Sequence, residues 1–448
     1  MRPASLRVPP PGTAHSDATC PTPDFGHIVA SRPLDVRTPH TGDELRDIVA
    51  FAGPRGIPVS ARGGGYSMYG QGRAEGGYLI DMRALNAVQR TADERTLVAE
   101  AGARWRDVVQ AALAEGFAPP VLPDHLGASV GGTLSTGGFG ASSHRYGLVA
   151  DAVSEVEVVT GTGEQVTCSR RRRPDLFDTV LAGLGQCALI VRATLRLVPA
   201  PALVRRYRLH YSLPGPYFAD QRRLAHHDHF THVSGQARPA LDGAWDYVID
   251  AVTPHTGQRP PDDAALTDGL RHDRDVEEIE DLSYAEFLYR MDRDERILRV
   301  TGEWERPHPW LTLLLPEAAA VSFVPAILAD SGQQGLRTCG TVQLRPLGSD
   351  RLRAPMLRKP MGEDLCLVSL MRTAPPADAD AVRQALAANR ELYERARELG
   401  GTLHAVSAVQ MTPRDWQAHF GPAWEGFARA KTQYDPHQIL TRGYDLWP

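Results

Sequence analysis

Residues 127–140 read GASVGGTLSTGGFG, a stretch made mostly of glycine, serine and threonine. Glycine lets the backbone adopt positive φ angles and lets its N–H groups approach an anion closely. Hydroxyl groups add further hydrogen-bonding capacity. The composition predicts a loop rather than a core element, with its backbone wrapped around a long polar ligand.

A second glycine-rich stretch lies earlier, at residues 61–67, ARGGGYS, and Gly70 and Gln71 follow it. It comes after a short strand-like segment, so we expect a nest of backbone N–H groups suited to a pyrophosphate. The stretch is not the G-x-G-x-x-G of a Rossmann fold, and no Walker lysine follows it. Two such loops in one α+β half, without acidic metal ligands, favour a dinucleotide over a nucleoside triphosphate.

The composition of the 448-residue chain is that of an ordinary globular protein, with 42% hydrophobic and 23% charged residues. A formal net charge of -5 argues against broad nucleic-acid binding. No apolar stretch approaches the roughly 20 residues that span a bilayer, so we expect no membrane partner. Five scattered cysteines fit reduced thiols in a cytoplasm, and no His/Cys cluster has metal-ligand spacing, so no metal site is expected.

Helical and strand periods alternate along the chain, without an internal repeat, which predicts an α+β organisation. Thr41 and Glu44 have the spacing of a capping box ahead of a helix. The proline-rich, acidic residues 259–281 predict an exposed loop and the start of a helix. Further segments predict strands at 78–82, 96–101, 311–315 and 365–370, and helices at 105–112 and 378–399.

In their order along the chain, these segments resemble the FAD-linked oxidases of the vanillyl-alcohol oxidase and p-cresol methylhydroxylase (PCMH) superfamily, and specifically the cytokinin dehydrogenases. Residues 61–67 resemble the R-G-x-G-H-S flavin loop of that family, and residues 130–140 resemble its V-G-G-T-L-S-x-x-G-x-x-G stretch. The sequences PHPWL at 307–311 and YDP at 434–436 are similar to later family segments. The resemblance therefore covers most of the chain.

The resemblance implies an α+β fold, with a PCMH-type FAD-binding domain and a cap-like α+β substrate domain built on an antiparallel sheet with flanking helices. Residues 1–24 would form a flexible tail and residues 25–202 an FAD-binding domain of two α+β subdomains. Residues 203–405 would form the substrate-binding domain, and residues 406–448 a C-terminal return to the FAD-binding domain. Candidate pocket residues in the substrate domain are Tyr284, Trp304 and Arg345.

The resemblance also implies which residues bind FAD. Most lie on the two glycine-rich stretches, and Tyr444 stands where the family usually has a glutamine that approaches the flavin ring. The expected FAD-binding residues are Arg62, Gly63, Gly64, Gly65, Tyr66, Ser67, Gln71, Gly127, Val130, Gly131, Gly132, Thr133, Ser135, Gly137, Gly140, Ile190 and Tyr444.

Tyr66 stands where most relatives have a histidine that is bonded covalently to the flavin. The local geometry of the family is built for imidazole, and no cysteine lies near residues 124–132, where some relatives make a second link. We therefore predict FAD that is bound non-covalently.

The segment PDHL at 123–126, just before the second glycine-rich stretch, resembles the family segment that supplies the catalytic aspartate, which would be Asp124 here. A carboxylate there would accept or orient an N–H or O–H proton while hydride leaves the adjacent carbon. The structural alternative is that Asp124 caps the loop by accepting hydrogen bonds from backbone N–H groups. His125 is an alternative base.

These features predict an FAD-dependent oxidoreductase, an oxidase or a dehydrogenase, that takes a hydride from a CH–NH or CH–OH carbon of a small organic substrate. Oxygen or another acceptor would reoxidise the flavin, and we expect a cytoplasmic location. The departures at Tyr66 and Tyr444 leave two alternatives open. One is a biosynthetic tailoring flavoenzyme that catalyses oxidative cyclisation or desaturation of a natural-product intermediate. The other is a non-redox flavin-binding protein.

Overall fold

The structure is a computed structural model that describes residues 22–93, 95–240, 243–330, 336 and 340–448. Most of the predicted N-terminal tail lies outside these residues. Thr22–Pro23, however, pair as a strand with Ala30–Ser31. The Asp24 carboxylate accepts a hydrogen bond from the Gly70 backbone N–H at 2.6 Å. The prediction that the tail continues through residue 24 is therefore wrong at its end, because backbone pairing and a side-chain contact attach residues 22–24 to the rest of the chain.

Short helices and strands alternate through the described residues. The strands are β1 (Thr22–Pro23), β2 (Ala30–Ser31), β3 (Asp35–Arg37), β4 (Val59–Arg62), β5 (Tyr78–Asp81), β6 (Val88–Arg90), β7 (Thr96–Glu100), β8 (Phe117–Ala118), β9 (Val153–Thr160), β10 (Gln165–Ser169), β11 (Ala188–Arg196), β12 (Val198–Pro199), β13 (Leu203–Tyr211), β14 (His232–Pro239), β15 (Trp245–His255), β16 (Asp273–Ser283), β17 (Leu311–Pro316), β18 (Thr341–Gly348), β19 (Asp364–Met371) and β20 (Thr402–Leu403). The helices are α1 (Gly42–Ala52), α2 (Trp105–Leu113), α3 (Val130–Thr136), α4 (Ser143–Tyr146), α5 (Pro174–Val180), α6 (Pro214–Ala225), α7 (Asp263–Leu266), α8 (Tyr284–Leu288), α9 (Met291–Val300), α10 (Glu317–Ala329), α11 (Ala379–Glu398), α12 (Pro413–Phe420) and α13 (Trp424–Tyr434).

A three-stranded and a five-stranded sheet organise the first part of the chain, beside the strand pairs β1–β2 and β8–β12. Strands β3, β5 and β4 form a parallel sheet, and β10, β9, β11, β7 and β6 form an antiparallel one in that order. Helix α1 begins as predicted, because the Thr41 hydroxyl accepts a hydrogen bond from the Glu44 N–H. Helix α2 buries Trp105, Val108 and Val109 against the core, which confirms the apolar face seen in the sequence.

The second part of the chain forms one large antiparallel sheet. Within the described residues its strand order is β16-β13-β15-β14-β18-β19-β17-β20. Helices α6, α10 and α11 contact this sheet. The strands predicted at 311–315 and 365–370 and the helix predicted at 378–399 are confirmed by β17, β19 and α11.

Strand β16 corrects the prediction that residues 259–281 form only a loop and a helix start. Residues 273–283 pair along β13 at the edge of the large sheet. Cationic side chains of β13 hold the acidic ones of β16: Arg205 contacts Asp281 at 2.7 Å, and Arg206 contacts Glu280 at 3.0 Å. The acidic sequence carries no apolar alternation. Its opposite charges come from a strand far earlier in the chain, since 74 positions separate Arg206 from Glu280.

Helix α3 corrects the prediction that residues 127–140 form a loop throughout. Gly131 lies in α3 and packs against Ala101, the residue that follows β7. A Cβ atom on Gly131 would lie 2.7 Å from the Ala101 Cβ, so glycine allows α3 to pack closely here. The hydroxyls of Thr133 and Ser135 donate to the carbonyls of Ser129 and Gly131, four residues earlier. The hydroxyl groups that led us to predict a loop are therefore hydrogen-bonded within a helix.

The C-terminal segment returns to the first part of the chain through a buried ion pair. Lys431 of α13 contacts the Asp435 carboxylate at 2.7 Å, and the two side chains are 3% and 0% exposed. Lys431 also donates to the Gln186 carbonyl at 2.9 Å. The Asp435 carboxylate accepts hydrogen bonds from the backbone N–H groups of Ile439 and Leu440. Because Leu440 pairs with β4, the ion pair fixes the return beside the first glycine-rich stretch.

Replacing Lys431 by methionine should lower the free energy of unfolding by about 3–5 kcal/mol, because Asp435 would keep a buried charge without its partner. Urea denaturation followed by circular dichroism measures the loss. Arg429→Met is the matched control: Arg429 pairs with Glu425 in the same helix at the same spacing, but both side chains are exposed, so no measurable loss is expected. An equal loss of unfolding free energy in the two variants would contradict the stabilising role of the buried pair of Lys431 and Asp435.

Candidate active site

A long groove runs between the two glycine-rich stretches. One end encloses about 980 Å³ and the other about 670 Å³, and the two share lining residues, so they form one continuous space. The residues common to both parts are Ala61, Gly63, Ser67, Gln71, Gly72, Ser129, Gly132, Thr136 and Tyr444.

The groove exists because the two stretches approach each other at their glycines. A Cβ atom on Gly63 would lie 1.9 Å from the Ser129 hydroxyl oxygen. The Gly64 N–H donates to the same hydroxyl at 3.4 Å. Gly65 has a φ of +78°, a left-handed conformation that favours glycine. A larger side chain at these positions would occupy the space where a ligand lies against the backbone.

Most of the residues predicted to bind FAD line this groove. Those that do are Arg62, Gly63, Gly64, Gly65, Tyr66, Ser67, Gln71, Gly131, Gly132, Thr133, Ser135, Ile190 and Tyr444. Gly127, Val130, Gly137 and Gly140 are not among its lining residues. Val130 is buried in the core, and a Cβ atom on Gly140 would lie 2.0 Å from the Leu122 carbonyl oxygen, so that glycine allows close backbone packing.

The sequence did not single out several groove residues, among them Asp24, Ser129 and Thr441. Asp24 is the most informative. Its Oδ1 atom is buried and has no hydrogen-bond partner among the described residues, and burial raises its pKa to about 6. Ser129 lay inside the quoted stretch, but Asp24 and Thr441 are brought to the groove only by folding. A carboxyl oxygen without a hydrogen-bond partner among the described residues and a wall lined by glycines fit a ligand as polar and as long as FAD.

Tyr66 lies over its own loop within an aromatic cluster. Its ring centroid is 4.5 Å from that of His125, 5.7 Å from that of Phe25 and 6.4 Å from that of Trp304. Burial raises the pKa of the phenol, so the group stays protonated near neutral pH and is a poor nucleophile. Tyr444 lines the groove from the opposite end of the sequence, and its backbone carbonyl accepts a hydrogen bond from the Trp416 indole at 2.8 Å.

Asp124 lies where the two parts of the chain meet. Its carboxylate accepts hydrogen bonds from Arg345 of β18 and, at 3.4 Å, from Arg290 between α8 and α9. Burial would raise the pKa of Asp124, but the two guanidinium groups outweigh it and lower the pKa. Among the described residues, no backbone N–H donates to this carboxylate, so the loop-capping alternative is wrong.

The other candidate residues surround Asp124. His125 is hydrogen-bonded through Nε2 to the Glu295 carboxylate of α9 at 2.9 Å. Tyr284 lines a small cavity of about 330 Å³ together with Asp124 and the partly buried His232. Trp304 packs against Phe25 at 4.9 Å between ring centroids. Of the three pocket residues predicted from the sequence, Arg345 is the one that contacts Asp124 directly.

Within the described parts of the chain, no group of three or more His, Cys, Asp or Glu side chains is arranged to hold a metal ion. No helix of the described residues is long and apolar enough to cross a membrane.

Comparison with known proteins finds matches along nearly the whole chain. The family described as "FAD binding domain" matches residues 33–169, and the family described as "Cytokinin dehydrogenase 1, FAD and cytokinin binding" matches residues 247–447. An uncharacterized oxidoreductase of the fasciation locus of Rhodococcoides fascians is 40% identical, over 94% of this chain and 95% of its own length. Cytokinin dehydrogenase 6 of Oryza sativa subsp. japonica is 32% identical over 99% and 92%, and cytokinin dehydrogenase 2 of Arabidopsis thaliana is 29% identical over 95% and 91%.

Gly63→Ala should weaken FAD binding by at least about tenfold, because the new Cβ atom would push Ser129 away and distort the groove. Titration of the apoprotein with FAD, followed by flavin fluorescence, measures the dissociation constant. Gly215→Ala is the control, since a Cβ atom there meets nothing within 4 Å. An unchanged FAD affinity in Gly63→Ala would show that the contact between the two stretches does not shape the cofactor site.

Precipitation of the purified protein with acid should leave the yellow flavin in the supernatant. Tyr66 offers a protonated phenol where relatives have imidazole, so no covalent link should form. Absorbance at the visible flavin bands compares the supernatant with the pellet. Flavin that remains in the washed, redissolved pellet would refute non-covalent binding.

Proposed function

This chain belongs to the cytokinin dehydrogenase family of FAD-dependent oxidoreductases, and from that premise we propose that it oxidises the CH–NH bond of an N6-alkylated adenine, with Asp124 managing the proton. The family confirms the predicted α+β fold with a PCMH-type FAD-binding part and a cap, and it confirms FAD as the cofactor. An FAD-dependent oxidoreductase was likewise predicted, and the alternative of a non-redox flavin-binding protein finds no support in these relatives.

The observation that carries the proposal is the position of Asp124. Its carboxylate lies where the first part of the chain meets the large sheet, three positions before the second glycine-rich stretch, and the guanidinium groups of Arg290 and Arg345 hold it there. Pockets at such junctions commonly bind small substrates. A substrate amine placed here would meet one carboxylate that is fixed in position and ionised.

Bound FAD supplies a two-electron acceptor for hydride. The contribution of the chain is to orient the substrate and to handle the proton. Because the pKa of Asp124 is lowered, the carboxylate is ionised near neutral pH and can accept a hydrogen bond from the substrate N–H. This contact would orient the adjacent carbon of the substrate, and the carboxylate would accept the N–H proton.

Aromatic side chains define the other wall of the proposed substrate site. Trp304 lies 5.6 Å from His125 and 6.4 Å from Tyr66, measured between ring centroids. His125 contributes its ring to this wall and is hydrogen-bonded through Nε2 to Glu295, and we assign proton transfer to Asp124. Flat, apolar surfaces of this kind suit a purine ring or an unsaturated alkyl chain.

The finer points of the sequence interpretation stay proposals. We propose domain boundaries near residue 203, where β13 begins, and near residue 406, after β20. Oxygen or another electron acceptor would reoxidise the flavin. A cytoplasmic location is favoured by Cys168, Cys187 and Cys366, which are free and buried. A tailoring role on a natural-product intermediate is the second candidate, because Tyr66 and Tyr444 depart from the family at the flavin.

Anaerobic mixing with N6-isopentenyladenine should bleach the flavin absorbance, and Asp124→Asn should slow this reduction by about 10²–10⁴-fold because the amide cannot accept the proton. Stopped-flow absorbance measures the rate. The variant should retain its FAD, since Asp124 is not among the lining residues of the cofactor groove.

A panel of other amines and alcohols tests the alternatives. Bleaching by a different substrate, with none by N6-isopentenyladenine, would replace the proposed function by the tailoring role. A normal rate in Asp124→Asn would instead remove Asp124 from the mechanism while leaving the substrate assignment intact.

A further inference from the structure

Arg345 occupies an unusual place beside the proposed catalytic carboxylate. It projects from β18 of the large sheet, and its side chain is only 6% exposed. One nitrogen, Nη2, donates to the Asp124 carboxylate and to the Gln343 side-chain oxygen, the latter at 3.3 Å. The other, Nη1, is buried and has no hydrogen-bond acceptor among the described residues.

An unpaired donor on a buried guanidinium lowers the stability of the fold, because the hydrogen bonds that it made with water are not replaced by bonds to protein. Buried polar atoms of native proteins almost always have partners. The planar guanidinium holds Nη1 and Nη2 side by side, so one can bind Asp124 while the other is presented next to it. A bound ligand with an acceptor beside its N–H group would satisfy Nη1.

Arg290, the second cation at Asp124, is arranged differently. It contacts the carboxylate at the longer distance of 3.4 Å and is 20% exposed. It also donates to the Phe287 carbonyl at 3.0 Å, and its guanidinium carbon lies 4.3 Å from the centroid of the Phe287 ring. Arg290 is therefore held mainly by Phe287 of the preceding helix α8, which leaves Arg345 as the closer and more buried partner of Asp124.

The remaining groups that face Asp124 carry no further positive charge. His232 of β14 is neutral near pH 7, because burial lowers its pKa to about 3. Tyr284 of α8 lines the same small cavity, and burial raises its pKa to about 12. Gln343 of β18 is uncharged. Arg345 and Arg290 are thus the two cations that determine the protonation state of Asp124 among the described residues.

We propose that Arg345 is the specificity-determining residue of this site: through Nη2 it holds Asp124 as an acceptor for the substrate N–H, and through Nη1 it donates to a lone-pair nitrogen beside that N–H. The pair thereby selects substrates with a donor and an acceptor on one edge, as in an alkylated aminopurine, over simple amines and alcohols. This inference rests on the proposed function, because it takes Asp124 as the group that receives the substrate N–H.

The first test needs no turnover. Arg345→Met leaves the charge of Asp124 poorly paired, so burial should raise the pKa of that carboxyl above its unfolded value. A raised folded-state pKa gives stability that is present at low pH and lost as pH rises. The decrease in melting temperature of Arg345→Met relative to the unmodified protein should therefore be several degrees larger at pH 8 than at pH 5, with FAD bound.

The double variant Asp124→Asn/Arg345→Met is the matched control, because it has no carboxylate to titrate. Its melting temperature, relative to Asp124→Asn alone, should show no such dependence on pH. A destabilisation by Arg345→Met that is the same at both pH values would overturn the role of Arg345 in holding Asp124 ionised.

The second test compares N6-isopentenyladenine with its 1-deaza and 7-deaza analogues, each of which lacks one ring nitrogen near the exocyclic N–H. In the unmodified protein, at least one analogue should reduce the flavin about 10- to 100-fold more slowly, as expected for the loss of a hydrogen bond to a charged donor. In Arg345→Met the same analogue should differ from the parent by less than about threefold. Arg345→Lys should restore only part of the discrimination, because an ammonium group lacks the paired nitrogens.

If the analogue slows flavin reduction by the same factor in the unmodified protein and in Arg345→Met, the contact of Nη1 with the substrate is overturned. Failure of the proposed function is a separate result: N6-isopentenyladenine would then not bleach the flavin of the unmodified protein at all. In that case the melting-temperature test still decides whether Arg345 controls the charge of Asp124.

Discussion

The close approach of Gly63 to Ser129 is the constraint on which the site depends. The two residues belong to different glycine-rich stretches, and any side chain at position 63 would collide with the Ser129 hydroxyl. Their contact creates the groove, and the C-terminal return lines it with Tyr444 and brings Gly443 against the Gly70 and Gln71 carbonyls. The buried pair of Lys431 and Asp435 then fixes that return beside β4. A cofactor site of this length thus needs three distant segments held together.

Asp124 joins this cofactor site to the large sheet. It is carried by the segment before α3, yet the groups that set its charge, Arg345 and Arg290, come from the other part of the chain. A buried carboxylate is ionised only where cations offset the loss of hydration. The same ion pair therefore positions the two parts of the chain relative to each other and prepares the carboxylate for a substrate N–H, so the fold and the proposed chemistry depend on the same contact.

The predictions that failed share a physical cause. Residues 130–136 resembled a loop by composition, but their hydroxyls bond to carbonyls four residues earlier within a helix. Residues 273–283 resembled an exposed loop because they lack apolar alternation, but cations on β13 pair with them along an edge strand. In both regions a polar sequence is satisfied by partners that composition does not show. Apolar elements such as β17, β19 and α11 were predicted well because burial requires the same periodicity wherever they pack.

The sequence by itself determined the cofactor class and the fold class, because the glycine-rich stretches and the segments after them are recognisable locally and in order. It also determined the departure at Tyr66, which is a matter of residue identity at one position. Only the tertiary structure decided what surrounds Asp124. Its partners Arg290 and Arg345 lie 166 and 221 positions away, and no local pattern encodes which side chain a fold brings to a buried charge. Ionisation and hydrogen bonding depend on that three-dimensional neighbourhood, so they follow from the fold and not from the motif.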